Sequence, residues 1–111
     1  TKTGKTYYLG NILNGPVFGQ IPRYPLAVAE FDPASVCLVR NSVRIIQDRP
    51  DGAHEHVRYT NFGWYEDRES GDLMITLPEQ FRYRGYLEIE KPEDFAADCV
   101  KYAVELATAG V

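Results

Sequence analysis

Every apolar run in this chain is short, and each is closed within a few residues by proline, glycine, asparagine or aspartate. That punctuation points to strands joined by turns. Thr6 to Leu13 is rich in aromatic and branched residues and stops at Asn14-Gly15-Pro16. Leu26 to Phe31 stops at Asp32-Pro33-Ala34-Ser35, Val36 to Val39 forms a short third run, and Ser42 to Asp48 ends at Arg49-Pro50-Asp51-Gly52. Tyr65 to Leu77 reads as strand, acidic turn with glycine, strand, which is a hairpin. From Gly15 to Pro25 the chain carries three prolines and two glycines, so this stretch is an ordered loop rather than regular structure.

The C-terminal piece supports two periods. Lys91-Pro92-Glu93-Asp94 opens like a helix, with proline and acids in a first turn, and Phe95, Cys99, Tyr102 and Leu106 continue a helical stripe. Val100, Tyr102, Val104 and Leu106 equally alternate with Lys101, Ala103 and Glu105, which is a strand period. The strand is preferred because the rest of the chain has strand character. The alternative is a small α+β domain with a C-terminal helix over residues 92–107.

At 111 residues the chain is one unit, and 44% apolar with 13% aromatic residues is enough to build a core. No run approaches the roughly 18 to 20 apolar residues of a membrane span. A net charge of −4 has the wrong sign for attraction to phosphate backbones, so neither a membrane nor nucleic acid is an expected partner. Cys37 and Cys99 could form one disulfide, and Cys37, inside Val36-Cys37-Leu38-Val39, is expected to be a buried hydrophobe. His54-Glu55-His56 has a spacing some metal sites use, but the polar stretch from Asp51 to Arg58 reads as a solvated loop. The acids Glu66, Asp67 and Glu69 read as a solubilising turn, and no metal or cofactor is expected.

Three blocks together carry a resemblance: Gly15 to Leu26 (GPVFGQIPRYPL), Arg58 to Asp67 (RYTNFGWYED) and Gly71 to Leu77 (GDLMITL). They resemble the last blades of sialidase-like (BNR-type) β-propeller glycoside hydrolases. The repeated S-x-D-x-G-x-T-W box of that family is absent, and Glu30-Phe31-Asp32-Pro33 stands where one would fall. The resemblance implies a mostly β fold of antiparallel four-stranded sheets equivalent to about two blades, with residues 1–50 and 51–111 as the halves of a fragment of a larger ring. It also implies Tyr59 as nucleophile, Arg23 as a carboxylate clamp and Glu79 as the acid steadying an arginine, in a fragment inactive by itself. Two blades leave apolar faces uncovered, so self-association or a missing remainder is expected. The competing expectation is a non-catalytic module that binds a glycan, another small neutral ligand or a protein face through Tyr24, Phe62, Trp64 and Tyr83.

Overall fold

The computed structural model describes residues 1–13, 15–17, 22–85, 88–92 and 97–106. Among these residues, seven strands form two open antiparallel sheets. The first holds β1 (Thr6–Asn11), β2 (Leu26–Asp32), β3 (Cys37–Leu38) and β4 (Arg44–Gln47), with a 3-10 turn at Arg40–Ser42. β2 is its centre: β1 pairs along its whole length, while β3 and β4 pair with its two ends. The second sheet runs β5 (Gly63–Glu66), β6 (Leu73–Glu79), β7 (Asp98–Val104).

The burial patterns explain why each segment takes its place. Leu73, Ile75 and Leu77 of β6 are buried and alternate with more exposed Met74 and Thr76, so one face of that sheet is apolar. In β2, Leu26, Ala27, Val28 and Ala29 are all buried, as befits a central strand covered on both faces. The core joins Leu26 and Val28 to Leu73, Ile75 and Leu77, with Val57 and Tyr59 from the connection between the sheets. Tyr7, Leu9, Ile46, Tyr102 and Val104 are packed around it. The two inner faces therefore cover one another. Gln47 of β4 ties them further by donating from Nε2 to the Tyr102 hydroxyl of β7 at 3.0 Å.

At one corner the sheets are stitched by backbone. Arg58 bridges to Arg23, just before β2, and to Gln80, just after β6. The Tyr59 N–H donates to the Arg23 carbonyl at 3.0 Å. Asn11, the last residue of β1, completes the corner: its side-chain amide donates to the carbonyls of Arg23, Pro25 and Tyr59 at 3.2, 3.2 and 3.1 Å.

This architecture corrects the propeller expectation. A blade is a meander of four strands abreast. Here β3 and β4 share one side of β2, the second sheet has three strands, and the sheets share hydrogen bonds through Arg58. The α+β alternative is also corrected. Residues 98–104 are strand β7, and no α-helix occurs among the described residues. The strand period wins because β6 presents a seven-residue edge, from Leu73 opposite Val104 to Glu79 opposite Asp98, which a helix would leave unpaired. Residues 93–96 and 107 of the proposed helix over 92–107 lie outside the described residues.

Two hairpins close with the same turn chemistry. After β2, Asp32 accepts the Ala34 N–H at 3.0 Å and the Ser35 hydroxyl at 2.8 Å. After β5, Asp67 accepts the Glu69 N–H at 3.2 Å and the Ser70 hydroxyl at 2.7 Å. In both turns the residue after the serine has left-handed backbone, with φ of 77° at Gly71 and 58° at Val36. Glycine takes that conformation freely, whereas a β-branched residue is strained there. Val36 is 73% exposed, so little packing holds it. Val36→Gly is expected to stabilise the protein by about 1 kcal/mol, read as a rise of a few degrees in Tm; an unchanged or lower Tm refutes the strain.

The serine hydroxyls, followed by the turn N–H groups, hold both carboxyls below the ordinary aspartate range. Glu88 is lowered as well, chiefly by its hydrogen bond from His54. For a carboxyl depressed in the folded state, the stabilisation is complete above the unfolded pKa of about 4 and is lost as pH falls through the folded value. Tm should thus be level from neutral pH down to about 5 and fall below about 4. The acid loss should shrink in Asp32→Asn/Asp67→Asn, and an identical acid profile in that variant refutes the assignment.

Candidate functional site

The corner opposite Trp64 gathers three of the four residues singled out from sequence. Tyr59 is completely buried, and its hydroxyl donates to the Asp48 carbonyl at 3.3 Å. Burial, then the Glu79 charge, pushes its phenol up to about 12. A tyrosine nucleophile requires the opposite shift and access to substrate. Glu79 is buried at the end of β6 and paired with Arg82 at 3.1 Å. Removing one partner of such a pair strands the other charge. Arg23 is half-buried, and its carbonyl receives Tyr59 and Asn11. The three meet at a packed corner, and the sialidase-like activity read from them is withdrawn with the propeller on which it rested.

Other expectations change as well. Cys37 and Cys99 are both free and exposed, because Cys37 lies at the hairpin end, away from the core. Residues 51–58 are an irregular loop that is only partly solvated, with Asp51, Gly52 and Glu55 exposed. Ala53 and Val57 are buried, and His54 and His56 meet edge to face with ring centroids 4.9 Å apart. His54 Nδ1 accepts the His56 N–H at 3.0 Å, so in the neutral ring Nε2 carries the proton, 2.9 Å from Glu88 Oε1. No group of three or more metal-ligating side chains stands together among the described residues. No helix among them is long and apolar enough to cross a membrane.

The cleft lies at the other margin, where β1 and β5 are the outermost strands of their sheets. Its volume is about 310 Å³, and it is lined by Tyr7, Leu9, Trp64, Leu73 and Leu106, with Thr1, Thr6 and Glu66. Trp64 faces inward by register: it opposes Ile75, which opposes Tyr102, and Ile75 is fully buried. Because β5 is an edge strand, the indole nevertheless stays 65% exposed. Glu66, two residues on and therefore on the same face, accepts the Lys2 N–H through Oε1 at 2.6 Å. The hairpin rooted in the Asp67–Ser70 turn sets the register of both.

Of the four aromatic residues proposed for binding, Trp64 and Tyr83 are exposed, and Tyr24 and Phe62 pack on the core. Tyr83 lies beside the Arg82 guanidinium, 5.6 Å from its ring centroid, and is absent from the cleft lining. Sequence reasoning missed Tyr7, Leu9 and Glu66. The alternation of β1, which puts Tyr7 and Leu9 on one face, is the signal that could have found the first two.

No family model matches the chain, and neither the curated proteins nor the solved structures provide a match to it.

Proposed function

We propose that this chain is a non-catalytic binding domain whose site is the cleft between β1 and β5, and that it takes a small, non-anionic ligand with an apolar face. The observation that carries the reading is Trp64, an inward-facing tryptophan left 65% exposed on the wall of an apolar cleft. An aromatic wall with a few polar groups at its rim is the usual composition of a small-molecule site, and 310 Å³ sits at the small end of the range of about 300 to 1,000 Å³. Among the lining side chains there is one carboxylate and no lysine or arginine, and the α-ammonium of Thr1 is already bonded to the Lys5 carbonyl at 3.0 Å, which disfavours an anion. Neutral saccharides fit this description, since a pyranose offers an apolar face to stack on indole and hydroxyls for Thr6 and Glu66.

Trp64 is the only tryptophan, so its fluorescence reports on the cleft directly. Titration with methyl β-glucopyranoside, cellobiose and small alkyl alcohols should shift its emission, while acetate and phosphate should not. Trp64→Ala should weaken binding, followed by ligand NMR, by about tenfold or more and leave Tm nearly unchanged. Equal binding by Trp64→Ala, or no response to any non-anionic probe, would sink the proposal.

A further inference from the structure

We infer that the ligand of this cleft is an organic ammonium cation, held by Trp64, Tyr7 and Glu66. The inference rests on the binding reading above and narrows it. A cation over an aromatic ring is attracted by the negative face of the π system, most strongly over indole. Two aromatic side chains, Trp64 and Tyr7, line the cleft together with the Glu66 carboxylate. Leu9, Leu73 and Leu106 complete a lining that suits methyl and methylene groups attached to the charged nitrogen.

The decisive point is what the neighbouring cations do. Lys2 meets Glu66 through its backbone N–H, while its ammonium reaches the Arg68 carbonyl at 3.4 Å. Lys5 is paired with Glu30 at 3.3 Å. Lys101 lies over Tyr65, on the outer face of the second sheet, 5.7 Å from the ring centroid. The α-ammonium of Thr1, which lines the cleft, donates to the Lys5 carbonyl at 3.0 Å, so each of these cations is engaged away from the Glu66 carboxylate. The Lys2 bond goes to Oε1, and among the described residues no hydrogen bond or ion pair engages Oε2, which is available to a ligand. A net charge of −4 adds an attractive field for a cation at long range. A neutral ligand uses the rings but leaves the carboxylate uncompensated, whereas a compact alkylammonium uses both.

The test compares choline chloride with 3,3-dimethylbutan-1-ol, its uncharged isostere, and with methyl β-glucopyranoside, by Trp64 fluorescence on the full chain at constant ionic strength. Choline should bind at least about fivefold tighter than the alcohol. Glu66→Gln, which keeps an oxygen for the Lys2 N–H, should bring that ratio close to one while leaving Tm in place. An alcohol or glucoside that binds as well as choline overturns the cation assignment and leaves the binding reading standing; silence with all three probes overturns both. A preference for choline that persists undiminished in Glu66→Gln overturns the role given to the carboxylate.

Discussion

Tyr59→Ala is expected to destabilise the protein by about 4 kcal/mol, a large fraction of the stability of a domain this size. Tyr59→Phe should cost only about 1 kcal/mol. The ring is completely buried, in one core cluster with Leu26 and Val28 of β2 and Leu73, Ile75 and Leu77 of β6. Its hydroxyl contributes a single hydrogen bond of 3.3 Å. Urea melts measure both numbers. The phenol adds a pH signature, because it rises from about 10 in the unfolded chain to about 12 in the folded one. Folding thus favours the neutral phenol, and the associated stabilisation is complete below pH 10 and lost as pH rises toward 12. Tyr59→Phe should lose less stability over that window than the wild type. Costs of similar size for the two substitutions would contradict a core role for the ring.

Asn11→Asp should be nearly as damaging at neutral pH, at about 3 kcal/mol. The substitution is almost isosteric but replaces an amide that donates to three carbonyl oxygens with a carboxylate that repels them. The Pro25 and Tyr59 carbonyls lose the partner that joins β1 to the corner. Protonating the new carboxyl restores one donor, so the gap between variant and wild type should narrow in acid, the reverse of what a simple packing defect gives. Thermal melts of both proteins at pH 7 and pH 3 decide the matter. A gap that stays constant or widens in acid contradicts the assigned role of Asn11.

The strands were legible because local chemistry specifies them. Residues 26–31 and 73–77 are apolar runs bounded by turn residues, and the Asp-x-x-Ser turns after β2 and β5 hold their own backbones. The C-terminal strand was only half legible, since residues 98–104 satisfy both periods and the open edge of β6 decides between them. The arrangement of the sheets was not legible. Short strands with turns at close spacing are common to sandwiches, barrels and propellers alike, so a likeness of blocks cannot choose among them. What chooses here is the corner, where Asn11 reaches Tyr59 across 48 positions of sequence.

The candidate site was legible in the same uneven way. Trp64 was found because aromatic side chains are the usual walls of a binding site. Its partners Tyr7, Leu9 and Glu66 become neighbours only once β1 lies over β5. Tyr59, Arg23 and Glu79 come together at one corner, where Tyr59 is completely buried with its phenol raised and Glu79 is buried against Arg82.

Mapping amide chemical shifts during titration with choline and with methyl β-glucopyranoside tests the central claim most directly. The binding-cleft account predicts that the residues shifted by at least one probe cluster on Tyr7, Leu9, Trp64, Glu66 and Leu73. Shifts centred on Arg23, Tyr59 and Glu79, or none for either probe, would contradict it.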